Sequence, residues 1–139
     1  MKYMLDTNII TEILKNNEKV MDMAKKKIIE GDEVIINGIS YYEIKRGFMA
    51  SKATTQLKKF NKFCGDFGLA LLDSQNIFDI ASKIYADLKC QGNPIEDADI
   101  LIASVALCNN AILVSADKHF VKIKELQKDL PIENWLKEC

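Results

Sequence analysis

The spacing of apolar positions changes several times along the chain, and each change marks an element. Tyr3, Met4 and Leu5 make a short apolar run, which predicts a strand over residues 2–5. Ile9, Ile10, Ile13 and Leu14 then recur at helical spacing until Asn16-Asn17 interrupts them. Residues 20–29 read as a second helix with a lysine-rich face, stopped by Gly31. β-branched residues predict a second strand over 34–37. Ser40, with Glu43 three residues later, reads as a capping box opening a helix that runs to about residue 50. A further helix is predicted over 54–66, with Leu57, Phe60, Phe63 and Cys64 inward, and a third strand over 69–72.

The second half repeats the alternation. Ile77, Ile80, Ala81, Ile84, Tyr85 and Leu88 predict an amphipathic helix that Gly92 ends. Asn93-Pro94, with Glu96 close behind, reads as the cap and first turn of the next helix. That helix is apolar almost all round, as a buried helix is. A fourth strand is predicted over 112–115, a short helix or turn over 118–128, and a small edge strand at Pro131-Ile132, with Trp135 covering one end of the core. Strands and helices alternate without repeats or linkers. The expectation is one α/β domain over residues 1–139, three layers deep, with a mainly parallel central sheet of four or five strands.

Composition changes this picture little. With 139 residues, 48% hydrophobic and 28% charged, the chain suits a globular domain with a proper core. The net charge of −1 gives no bulk attraction for nucleic acid, so any such binding rests on a local patch. The first residues reach Asp6 before an apolar leader can form, and the uncharged run over 100–112 is too short for a bilayer. A cytoplasmic protein without membrane association is expected. Cys64, Cys90, Cys108 and Cys139 show no paired spacing, and one histidine argues against zinc; they read as free thiols.

Four acidic residues carry the candidate chemistry. Asp6, Glu43, Asp99 and Asp117 each fall near a strand end or a helix start. In a parallel sheet such positions converge on the crevice at the carboxyl ends of the strands. Clustered carboxylates repel unless a cation holds them, so the pattern predicts a divalent-metal site. All-oxygen donors favour Mg2+ or Mn2+. Asp99 is the most telling, because on the helical wheel it lies between Ala103 and Ala106 of an apolar helix, and an unpaired buried carboxylate is costly. Each acid also has a structural reading: Asp6 as an N-cap, Glu43 as part of the capping box, Asp99 as a first-turn acid and Asp117 as a turn residue. Glu96 shares a face with Asp99. His119 reads as a surface or helix-start residue apart from catalysis.

Leu5-Asp6-Thr7-Asn8, Glu43-Ile44-Lys45-Arg46-Gly47, Asp99-Ile100-Leu101-Ile102-Ala103-Ser104 and Leu113-Val114-Ser115-Ala116-Asp117-Lys118-His119-Phe120 together resemble the PIN domain, and within it the VapC-type toxins of toxin–antitoxin pairs. The resemblance spans nearly the whole chain in order. It implies an endoribonuclease dependent on Mg2+ or Mn2+, usually a homodimer, held inactive by a cognate antitoxin. By position it makes Asp6, Glu43 and Asp99 the core metal-site acids and Asp117 a more variable fourth. Thr7 and Ser115 match hydroxyls beside the metal, and Gly47 a small residue next to it. Asp97 competes with Asp99 as the ligand.

Arg46, with Lys45, Lys52, Lys58, Lys59 and Lys62, is either a local phosphate grip or a plain solvated basic face. Tyr41, Tyr42, Phe48, Phe60 and Phe63 could stack bases or belong to the core. The apolar face made by Ile9, Ile10, Ile13, Leu14, Val20 and Met21 is a candidate antitoxin groove or plain core. Three rivals stand beside the toxin reading. One is a PIN-type nuclease of RNA processing or DNA cleavage. Another is a receiver-like signalling domain using Asp73. The third is a silent binding module.

Overall fold

The structure, a computed structural model, describes residues 1–137. Its elements in chain order are β1 (Lys2–Leu5), α1 (Thr7–Leu14), α2 (Glu18–Ile29), β2 (Glu33–Asn37), α3 (Gly38–Ala50), α4 (Thr54–Asp66), β3 (Gly68–Ala70), α5 (Gln75–Cys90), α6 (Asp97–Cys108), β4 (Ala111–Val114), α7 (His119–Leu126) and β5 (Ile132–Glu133). The five strands form one sheet in the order β3-β2-β1-β4-β5, and every pairing is parallel. The predicted parallel α/β architecture is therefore the observed one.

Alternation along the strands builds two cores. Met4, Ile35 and Leu113 point to one face, where α5, α6 and α7 supply Ile77, Ile84, Ile102 and Phe120. Tyr3, Leu5, Val34, Ile36, Ile112 and Val114 point to the other, where α1, α2, α3 and α4 supply Ile9, Ile10, Val20, Ile44 and Phe60. Central strands buried on both faces read as continuous apolar runs, as they do here. Trp135 is buried against Tyr3, with ring centroids 5.7 Å apart, and closes one end of the second core.

Several boundaries differ from the sequence expectation for definable reasons. Ser40 is not the N-cap of α3. Asn37 is: its side chain accepts from the Ser40 N–H at 2.8 Å, so α3 starts three residues earlier and no Ser40–Glu43 capping box exists. Asn37 is also the last residue of β2, so one residue ends the strand and caps the helix. Asn93-Pro94 does not open α6. The helix begins at Asp97 with Glu96 as its N-cap, and the intervening loop tucks Ile95 against the core. Strand β3 runs Gly68–Ala70 rather than 69–72. The left-handed turns at Gly31 (φ 90°) and Gly92 (φ 69°) end α2 and α5 where a side chain would be strained. Tyr85, expected inward on α5, is 48% exposed. Cys64, Cys90 and Cys108 are free thiols; Cys139 lies outside the described residues.

The apolar face of the first helices is core rather than an open groove. Ile9, Ile10 and Val20 are fully buried and Ile13 nearly so, while Leu14 and Met21 pack partly against them. Phe60 and Phe63 are buried too, Tyr41 and Phe48 pack tilted and edge-on against Phe60, and Tyr42 is the exposed member of the aromatic set. Among the described residues no helix is long and apolar enough to cross a membrane.

Candidate active site

Register places the first carboxylate. Leu5 pairs with Val114 across β1 and β4, so Asp6 and Ser115 leave the sheet side by side at its carboxyl edge. The Asp6 N–H donates to Val114 O at 2.9 Å, and Ser115 Oγ donates to Asp6 Oδ2 at 2.7 Å. Asp6 stands at the N-cap position of α1, yet its side chain makes no capping bond there. The residue is buried, only 4% exposed. Burial pushes its pKa up from 3.8 to about 6, against the opposing effect of the Ser115 bond, and Asp99 and Asp117 nearby raise it further.

A chain of polar groups positions the second. Asn37 is wholly buried and donates to Leu5 O at 3.2 Å and to Ser40 Oγ at 3.0 Å. Thr7 Oγ1 lies 2.9 Å from Ser40 Oγ and 3.0 Å from Glu43 Oε1. Thr7 has one hydroxyl proton for two contacts: with that proton on Glu43, Ser40 supplies the proton of the other bond. The Glu43 side chain is thus oriented by α1, not by capping its own helix.

Asp99 comes from the first turn of α6 and Asp117 from the loop after β4. Burial raises the pKa of Asp99, with the neighbouring Asp117 and Glu43 adding to it and the contact with His119 opposing it. Asp117 Oδ1 accepts from the His119 N–H at 2.9 Å, which makes it the turn residue expected from sequence, while its own N–H donates to Ser115 Oγ at 3.0 Å. His119 Nδ1 lies 3.1 Å from Asp99 Oδ2 and 3.4 Å from Asp117 Oδ1.

All four acids line one cleft of about 530 Å³, together with Thr7, Asn8, Thr11, Glu12, Lys15, Glu96 and His119. Asn8 Oδ1 is buried there without a hydrogen-bond partner. A donor set of carboxylates, a buried amide oxygen lacking a donor, and carboxyls whose pKa values rise when no cation balances them together fit a hydrated divalent ion.

Other candidates lie elsewhere. Asp97 faces a different, apolar hollow with Phe78, Tyr85 and Leu101, one helical position away from the cleft. Arg46 lies over the Tyr42 ring at 4.8 Å and Lys45 donates to Tyr41 Oη at 2.8 Å; neither lines the cleft. Lys59 caps the end of α1 through Leu14 O and Asn16 Oδ1. Lys52, Lys58 and Lys62 are exposed outside the cleft, and a side chain at Gly47 would meet nothing within 4 Å. Asp73, the residue a receiver would use, is exposed beyond the edge strand β3 and apart from the other acids.

Thr11, Glu12 and Lys15 are cleft residues that sequence reasoning passed over, and His119 is one it set apart from the site. Asn8, Thr11, Glu12 and Lys15 form one stripe of α1 and its C-cap, at the same helical spacing as the apolar stripe that was read. The signal was present on the polar face. His119 begins α7 and is half exposed, as the sequence suggested, and it also faces Asp99 and Asp117.

A parallel sheet with an acidic cleft at the carboxyl ends of its strands is the arrangement of a PIN domain. The model of the PIN domain family matches residues 3–126, and the chain belongs to this family. A relative named Ribonuclease VapC1 from Haemophilus influenzae (strain R2866) is 31% identical over 139 residues, 99% of this chain and 100% of the relative. Ribonuclease VapC1 of Methanocaldococcus jannaschii is 34% identical over 118 residues, 83% of each chain. Among solved structures, VapBC-1 from nontypeable Haemophilus influenzae superposes with a TM-score of 0.84 at 30% identity, covering 99% of this chain and 100% of that one. VapBC2 from Rickettsia felis, bound to a DNA fragment from their promoter, gives 0.86 at 26% identity, covering 97% and 99%.

Proposed function

We propose that this chain is the ribonuclease toxin of a VapBC-type toxin–antitoxin pair and hydrolyses RNA phosphodiester bonds with Mg2+ or Mn2+. The observation that carries the reading is the convergence of Asp6, Glu43, Asp99 and Asp117 on one cleft. End-to-end similarity to proteins named as VapC ribonucleases supports the substrate class. Likeness to VapBC complexes supports an antitoxin partner, and we take a homodimer as the working assembly in the cytoplasm.

In this reading Asp6, Asp99, Glu43 and Asp117 hold the cation. A bound Mg2+ or Mn2+ supplies an activated water and neutralises charge on the scissile phosphate. The chain's own work is positioning. Ser115 holds Asp6 by Oδ2 and favours its charged form. Thr7 fixes one oxygen of Glu43, whose second oxygen can orient the attacking water. Lys15 is the ammonium group of the cleft and forms no ion pair among the described residues, so it can meet an RNA phosphate next to the cut. No side-chain nucleophile is required.

The deciding assay uses the purified chain with RNA, with and without EDTA, beside Asp99→Asn. Cleavage restored by Mg2+ or Mn2+ and abolished by the substitution is expected, as is growth arrest on expression without a partner. Arrest that survives an Asp6→Asn/Asp99→Asn double variant would instead mark a silent binding module. Cutting of flap DNA in preference to RNA would mark a nuclease of another role.

A further inference from the structure

The Asp99–Asp117 pair is faced by a nitrogen donor. His119 Nδ1, Asp99 Oδ2 and Asp117 Oδ1 lie close together, with the nitrogen 3.1 Å and 3.4 Å from the two oxygens, and the donor atoms of the three residues all fall within 4.8 Å of one another. Adjacent ligands of an octahedral ion with bonds of roughly 2.1 Å sit about 3 Å apart, so these separations suit neighbouring positions around one cation. The ring is placed by the backbone: the His119 N–H donates to Asp117 Oδ1, and Phe120 beside it is fully buried in the core.

The identity of the donor matters for the ion. Magnesium takes oxygen ligands almost exclusively. An imidazole nitrogen adds little for it but strengthens binding of first-row transition ions. The acids of the cleft, with Glu43 on the side of Thr7, would by themselves hold either metal. Lys15 and Glu12, the other charged side chains on the α1 wall of the cleft, carry no imidazole nitrogen.

We propose that His119 is a metal ligand of this chain, completing a site with Asp99 and Asp117 that selects Mn2+ over Mg2+. The inference rests on the metal-dependent reading of the same cleft and sharpens it, from a site of carboxylates alone to one of mixed nitrogen and oxygen donors. His119 is half exposed at the start of α7, so replacing it leaves the fold intact.

The test is ion binding to the full chain without RNA. Calorimetric titrations with MnCl2 and MgCl2 are compared for the wild type and His119→Gln, together with the electron spin-echo spectrum of the Mn2+-loaded protein. Expected are a nitrogen coupling in the wild type that disappears in His119→Gln, an affinity for Mn2+ weakened about tenfold or more, and an affinity for Mg2+ that changes about twofold or less. Melting curves without metal check that the variant is folded. Bound Mn2+ with no nitrogen coupling would overturn the proposal and leave the nuclease reading standing. Equal weakening for both ions would overturn it as well, since His119 would then act only by holding its neighbours. Nitrogen coupling in a chain that cuts no RNA would uphold the site and sink the nuclease reading.

Discussion

Ser115 Oγ donates to Asp6 Oδ2 at 2.7 Å across 109 residues of chain, and the same hydroxyl accepts from the Asp117 N–H at 3.0 Å. One small residue thus ties two of the four acids to the sheet edge. The bond to Asp6 favours the charged carboxylate, which burial opposes. Ser115→Ala is expected to raise the pKa of Asp6 further, so that a cation must compete with a tighter proton. Titration with MgCl2 should show weaker binding than in the wild type at pH 6.5 and a smaller deficit at pH 8. A deficit of the same size at both pH values would mean that Ser115 does not act through the charge on Asp6.

The pKa of Asp6 also sets how stability varies with pH in the metal-free chain. Its folded value of about 6 lies above the ordinary 3.8, so between the two the folded state binds the proton more tightly than the unfolded chain does. This contribution to stability is full below about pH 4 and is lost as the pH rises through about 6. By neutral pH the charged, buried carboxylate costs roughly 2–3 kcal/mol. Asp6→Asn removes the charge at similar volume. In EDTA at pH 7.5 it should melt higher than the wild type, on the order of 5–10 °C, with little gain at pH 4.5. Added Mg2+ should stabilise the wild type and not the variant. A variant that melts lower than wild type at pH 7.5 in EDTA would refute this account.

Lys15 provides a test of substrate contact that leaves the acids untouched. It is exposed at the end of α1, so Lys15→Ala should fold normally. Expected are a KM for RNA raised several-fold with kcat little changed, and a salt dependence of binding reduced by about one phosphate contact. Lys15→Arg should retain most of the affinity. Unchanged KM and salt slope would place the RNA elsewhere on the surface.

The strands, their parallel sense and the gathering of the four acids were legible in the sequence because strong periodicity and strand-end position are local signals, whereas the strand order was not. What was not legible arises between elements. Asp99 looked like the most constrained acid, since its helix is apolar all round. In the structure Asp6 is the more deeply buried, fully enclosed where Asp99 is only partly so, because its environment is built by β4 and Ser115, far away in sequence. Glu43 looked partly explained by capping. That explanation vanished once Asn37, reading locally as a strand end, turned out to serve as the cap. His119 looked peripheral because no local pattern relates it to Asp99, and only the packing of α7 beside α6 does. Asp97 and Asp99 were hard to separate because both sit in the first turn of α6, and the helix axis alone decides which one faces the cleft.

Asn37 makes the least conspicuous prediction and the most structural one. It is fully buried, accepts from the Ser40 N–H, and donates to Leu5 O and Ser40 Oγ. Asn37→Ala removes a helix cap and leaves polar groups of β1 and α3 without partners in a dry interior, at a cost of about 2–4 kcal/mol. A lowered urea midpoint is expected, with faster amide exchange at Ser40, whose N–H loses its acceptor. The damage should also reach the cleft, because Ser40 holds Thr7 and Thr7 holds Glu43. The folded fraction of Asn37→Ala should therefore show a reduced kcat with KM nearly unchanged, since Lys15 stands on another element. A variant with slow Ser40 exchange and full kcat would show that Glu43 is held by its own helix and needs neither Asn37 nor Thr7.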